Sequence, residues 1–179
     1  DTTHSGVLLS GDVMIQSTGA SGAGTITLNG TANTTDMDEG GTFIFESTVT
    51  SVSGPIDIDG TNPSGVAVVL EQVSQIQSTG TGTNAATISI DGDASGAGDF
   101  GVVIANASVV TSVDGNIGIT GTDTQSAGVL LFGGEVRSTG TGADAATITL
   151  MGTSSGIDGV AIADGDMNGM PVASNVTSV

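Results

Sequence analysis

The chain has no cysteine, tryptophan or tyrosine, and Arg137 is its one basic side chain apart from His4. Without cysteine there is no disulfide framework, zinc-thiolate site or thiol nucleophile. Nineteen acidic residues against one arginine leave a formal net charge of −18. A surface this negative repels phosphate, which excludes nucleic acid as a partner, and it repels anionic lipid headgroups. The longest unbroken apolar run, Val66 to Leu70, is far short of the ~20 residues a membrane-spanning helix needs, so no membrane insertion is expected. Aromatic character is limited to four phenylalanines, a poor supply for stacking on sugars. One histidine near the start of the chain cannot build a Ser–His–Asp triad with any confidence of geometry.

What is present is small, polar and branched: 30 glycines, 46 serines and threonines counted along the chain, and a 37% hydrophobic fraction. Acidic low-complexity chains are often disordered for want of apolar surface to bury. Here Val, Ile and Leu recur in short alternating runs, which is the pattern of half-buried strands.

Internal repetition organises those runs. Ser-Thr-Gly occurs at 17–19, 78–80 and 138–140, and Val-Thr-Ser-Val at 49–52, 110–113 and 176–179. Thr-Ile-Thr/Ser falls at 25–27, 87–89 and 147–149. Three unrelated markers define a unit of about 60 residues, giving repeats 5–63, 64–125 and 126–179. Each unit divides again into two copies, led by Gly6, Gly41, Gly65, Gly101, Gly128 and Gly159. A copy reads as an apolar strand, a second short strand, and a strand of the form x-Ile-x-Ile/Leu-x-Gly. The third strands are expected at Thr25–Gly30, Pro55–Gly60, Thr87–Gly92, Asn116–Gly121 and Thr147–Gly152.

Three strands per copy without helical periodicity predict an all-β parallel β-helix, a solenoid of about six turns in one segment. At ~4.8 Å per strand the rod is roughly 25–30 Å long. Period-two alternation turns Ile26/Leu28, Ile56/Ile58, Ile88/Ile90, Ile117/Ile119 and Ile148/Leu150 inward. The opening Asp1–Gly6 resembles the internal connector 122–128, and Val-Thr-Ser-Val at the other end stops mid-turn. Neither end carries a polar cap, which suggests a segment of something longer or copies joined end to end.

The repeated Gly-Val-x-Leu/Val, Ser-Thr-Gly-Thr-Gly and x-Ile-x-Ile-x-Gly-Thr units resemble those of large secreted β-helix exoproteins, including filamentous-haemagglutinin-like adhesins and giant bacterial surface repeat proteins. The resemblance spans the whole chain, and its motifs are compositional. It implies an extracellular or cell-surface protein used in adhesion, coating or filament building.

Two groups of residues stand out as candidate sites. In-register stacking of the third strands would line up Asn29, Asp59 and Asp91 on the outside. Adjacent carboxylates about 5 Å apart repel unless a cation lies between them, which makes Ca²⁺ the candidate cofactor. Asp36, Asp38 and Glu39 in the first long connector form a second oxygen cluster. Neither matches an EF-hand or the nonapeptide calcium repeat. Asp57, Asp59, Asp91 and Asp93 are the carboxylates a glycosidase would need, but no aromatic platform accompanies them.

The second group lies on the first strands, which are apolar on both sides. One side must face out as a stripe that includes Leu8, Phe43, Phe45, Val69, Val103, Leu130 and Phe132. Either another chain associates there or a connector such as Gly30–Gly40 or Asp91–Phe100 folds over it. Together these features suggest a non-enzymatic structural module of a filament, sheath or adhesin. Its partners would be copies of itself as a homopolymer, or neighbouring repeats of a longer chain. A calcium- or glycan-binding adhesion module is the alternative, and Thr-x-Thr ranks on the third strands raise ice binding more weakly.

Overall fold

The computed structural model describes residues 4–96, 99–165 and 171–179. Among these the chain winds through five complete turns and two strands of a sixth. The first turn contains β1 (Val7–Ser10), β2 (Met14–Ser17) and β3 (Ile26–Thr31), and the second β4 (Thr42–Phe45), β5 (Thr48–Ser51) and β6 (Ile56–Thr61). The third holds β7 (Val68–Glu71), β8 (Gln75–Ser78) and β9 (Ile88–Ala94), and the fourth β10 (Phe100–Ala105), β11 (Val109–Ser112) and β12 (Ile117–Asp123). β13 (Ala127–Phe132), β14 (Glu135–Ser138) and β15 (Ile148–Ser154) make the fifth, followed by β16 (Val160–Ala163) and β17 (Asn175–Thr177). A single 3-10 turn, Gly82–Asn84, is the one helical element among the described residues, and no described helix is long and apolar enough to cross a membrane.

Equivalent strands stack in parallel into three sheets, β1-β4-β7-β10-β13-β16, β2-β5-β8-β11-β14-β17 and β3-β6-β9-β12-β15. The protein is therefore a parallel β-solenoid, as the repeats predict. The inward columns follow the period-two reading. Ile26, Ile56, Ile88, Ile117 and Ile148 stand in one column, and Leu28, Ile58, Ile90, Ile119 and Leu150 in the next. They meet Leu9, Ile44, Leu70, Ile104 and Leu131 of the first sheet and Val49, Ile76, Val110 and Val136 of the second in one continuous core. Each fully buried aliphatic side chain contributes about 1.5–3 kcal/mol, so stability is spread along the rod. The third strands run one or two residues past their predicted glycines, because Thr31, Thr61, Asp93, Thr122 and Thr153 continue the ladder.

The two-turn period has a structural cause. Ser17, Ser51, Ser78, Ser112 and Ser138 form one column at the end of the second sheet. In odd turns that serine opens Ser-Thr-Gly and a long corner back to the third sheet; in even turns it is the third residue of Val-Thr-Ser-Val and the corner is short. Ser17 Oγ donates to the Gly24 carbonyl at 3.0 Å across the long version, and Ser51 Oγ to the Gly54 carbonyl at 2.5 Å across the short one.

The glycines ending the third-strand motif mark a pinch in the cross-section. A Cβ at Gly30, Gly60, Gly92, Gly121 or Gly152 would overlap the carbonyl oxygen of Gly41, Ala67, Gly101, Gly128 or Gly159 on the first sheet. The two sheets meet there backbone to backbone.

One register expectation is corrected. Taking Gly65 as the start of the third copy pairs Val66/Val68 with Thr42/Ile44. The structure instead pairs Val68 with Thr42 and Leu70 with Ile44, and sets Ala67 level with Gly41 and Gly101. Gly65 belongs to the corner, where its N–H donates to the Asn62 carbonyl. A shift of two residues keeps the inward face inward. It moves Val69 into the Leu8–Phe43–Val103–Leu130 column and brings Glu71 into the column of Phe45 and Phe132.

Candidate functional site

On the outward face of the third sheet, strand register puts Asn29, Asp59 and Asp91 side by side on consecutive turns. The column continues as Thr120 and Met151, so the carboxylate pair is bounded. Asp59, Asp91 and Asp93 line an open groove of about 390 Å³ with Thr61, Thr120 and Thr122. Burial, with the Asp91 and Asp57 carboxylates beside it, holds the Asp59 carboxyl above its ordinary value near 3.8. Asp91 Oδ2 accepts from Ser89 Oγ at 2.9 Å, and Asp93 Oδ1 from the Ser95 N–H at 2.9 Å. Among the described residues no group of three or more acidic or histidine side chains gathers closely enough to hold a metal ion.

The predicted cluster of Asp36, Asp38 and Glu39 is divided by its own turn. Asp36 Oδ1 accepts the Asp38 N–H at 3.1 Å and the Asp36 carbonyl accepts the Glu39 N–H at 3.3 Å, so Asp36 shapes the connector. Asn62 clamps that connector to the next turn: its Oδ1 accepts the Thr34 N–H at 3.2 Å, and its Nδ2 donates to the Thr34 and Val66 carbonyls at 3.0 and 3.1 Å. Held in this way, the segment carries Asp38 and Glu39 to a cavity of about 340 Å³ over Leu8, Phe43 and Phe45, with His4 on the same wall.

The outward stripe on the first sheet exists, but much of it is covered within the chain. Phe43, Val69 and Val103 are buried together with Val66 and Ala105, and Phe45, Phe100, Leu130 and Phe132 pack around them half-buried. Phe43, Val69 and Val103 are thus members of a second apolar cluster, covered within the chain. The expected cover Gly30–Gly40 contributes at the Phe43/Phe45 end. The other expected cover, Asp91–Phe100, places Phe100 in the cluster, while residues 97–98 lie outside the described residues. At the far end a Cβ on Gly165 would touch the Phe132 ring, so the chain after β16 lies against it. Leu8 remains 58% exposed.

Glu71 escaped the sequence reading. It is 4% exposed, next to Phe45 in the outward column, and its carboxyl is held above its ordinary value near 4.5, first by burial and then by Asp38. The spacing to the corner serine hid it: Ser47 follows Phe45 by two residues but Ser74 follows Glu71 by three, so counting back from the serines gives Gln72.

The class these features define is a β-solenoid repeat protein with an apolar, largely self-covered face and an acidic open face. No family model, curated protein or solved structure matches the chain.

Proposed function

We propose that this chain is a non-enzymatic structural module of an extracellular filament, sheath or surface adhesin, of the kind its repeats resemble. The carrying observation is the stack of repeated turns in all three sheets, an architecture that extends by adding further turns. All three sheets are continuous parallel ladders, and the outermost described turns present apolar side chains to solvent. Ile15 is only partly buried on the first turn, and Ile162 and Val176 are 51% and 39% exposed on the last. Such edges template further strands, and more turns would complete the ladders and the core columns. Copies of the chain, or neighbouring repeats of a longer one, are the partners this reading expects. Leu8 and the half-buried Phe45, Leu130 and Phe132 remain for lateral contact. With a net charge of −18, packing rods side by side calls for salt or divalent cations.

Electron microscopy over a range of salt and calcium concentrations tests this reading. Ordered polymers that Ile162→Asp or Val176→Asp abolishes are expected, and a strictly monomeric rod in every condition overturns it. A calcium- or glycan-binding adhesion module is the second reading, favoured by the Asp59–Asp91 column with its raised Asp59 carboxyl. It requires a melting temperature that falls with chelator, and an unchanged melt removes its calcium form.

A further inference from the structure

Resting on the reading of the chain as an assembling module, we propose that the outward face of the second sheet is its lateral surface. That face pairs with the same face of a second copy, the two rods running antiparallel. Charge singles it out. Of the nineteen acidic residues, Glu135 is the one among the described residues that lies on this face, and Arg137 pairs with it at 3.6 Å. The outward side of the third sheet is acidic, and that of the first is largely covered within the chain. Two copies that each carry −18 approach at least electrostatic cost through a face that is locally neutral.

The shape of the face repeats every two turns. Outward side chains of the odd turns are long: Met14 and Gln16, Gln75 and Gln77, Glu135 and Arg137. Those of the even turns are short: Thr48 and Thr50, Val109 and Thr111, Asn175 and Thr177. None of these residues is buried. Each long pair is tied side by side. Gln16 Nε2 donates to Met14 Sδ at 2.6 Å and Gln77 Nε2 to Gln75 Oε1, and Arg137 holds Glu135. The face is thus ribbed, with ridges about 9.6 Å apart, two strand spacings. The trough over the second turn forms a cavity of about 350 Å³. Thr48 lines it with Asp12 of the turn before and Gln75 of the turn after.

A ribbed face complements itself under one closed symmetry. A two-fold axis along the rod sets ridge on ridge. A two-fold axis along the strands, midway between β8 and β11, reverses the rod. It sets β8 against β11, β5 against β14 and β2 against β17, so every long pair meets a short one. The same register lays the turn that carries Arg137 across the trough bordered by Asp12 and Glu46. Six strands of about four residues project to roughly 400 Å² per copy. A standard interface takes about 800 Å² per partner, so a single pair is weak and every added repeat strengthens it.

Sedimentation equilibrium of the full chain at up to about 1 mM tests the pairing, with electron microscopy of the same samples. A reversible dimer is expected, strengthened by sodium chloride and indifferent to chelator. Thr111→Gln fills a trough on both copies and weakens the dimer at least about fivefold; Thr111→Glu puts a charge there and weakens it at least about tenfold. Thr120→Gln, on the third sheet, leaves it unchanged. All three changes lie on strand surfaces, so an unchanged melt shows that the fold is intact. The chain has no cysteine, which lets single cysteines report the register. A short bis-maleimide links Thr48→Cys chains to Glu135→Cys chains, and neither variant to itself. A monomer in every condition, loss of the dimer on chelation, a dimer indifferent to Thr111→Glu, or self-linking of one cysteine variant overturns the pairing. Polymers that persist in Thr111→Glu overturn this surface and leave the module reading standing, whereas dimers without polymers support the surface and count against that reading.

Discussion

On the first sheet, the outward column through Phe45 meets Glu71, buried beside the connector's Asp38. On the third sheet, the outward column through Asp59 meets Asp91 in an open groove. Strand geometry is the same in both. Each sheet turns one set of side chains to the core, and each holds one outward carboxyl above its ordinary value. The main cause is burial in both cases; Asp59 is raised further by two neighbouring carboxylates, Asp91 and Asp57, and Glu71 by one, Asp38. The difference lies in what covers the face. A connector tied down by Asn62 turns the first face into a second apolar layer, whereas the third face stays wet and its acids repel through solvent.

The most disruptive way to break this comparison is at the pinch that joins the two sheets. Gly92→Ala drives a methyl group into the Gly101 carbonyl and should cost roughly 3 kcal/mol or more, read as a lowered denaturation midpoint. Ile90→Ala, inside the core shared by both sheets, should cost about 2–5 kcal/mol. Gly118→Ala is the counterpart on the open face. No atom lies near the added Cβ, so the change should be neutral or stabilise by about 0.5–1 kcal/mol.

The carboxyls sharpen the comparison further. Both Glu71 and Asp59 bind protons more tightly in the folded chain than their ordinary values near 4.5 and 3.8 allow in the unfolded one. Their contribution is therefore fully present below those ordinary values and is lost as pH rises through the raised ones. Melting at pH 4 should exceed melting at pH 7, and Glu71→Gln should raise the neutral-pH melt by a few degrees and flatten the profile. Asp59→Asn should act in the same direction but less strongly. The part of its effect that comes from Asp91 and Asp57 should shrink in 1 M salt, where the screening length is ~3 Å, while the burial part, the larger cause in both variants, persists. Equal salt sensitivity of the two variants would contradict the assignment of a covered and an open face.

Repetition and alternation carried the architecture: the inward columns of the third sheet and the Asn29–Asp59–Asp91 register follow from period two and from the spacing of Ser-Thr-Gly and Val-Thr-Ser-Val. Local pattern encodes these because a strand's facing depends on its own residues and on a neighbour that repeats them. Three features depended on the tertiary structure. The position of Gly65 relative to Ala67 could not be read, because a glycine at a corner and a glycine in a ladder look the same in sequence. The cover over Phe43, Val69 and Val103 depended on where irregular connectors settle, and these have no period. The meeting of Asp38 and Glu39 with Leu8, Phe43 and Phe45 joins segments from different turns that only the winding of the rod brings together. The near absence of basic residues set the sign of the whole surface in advance; folding decided that Glu71 is buried under a connector while Asp59 and Asp91 line an open groove.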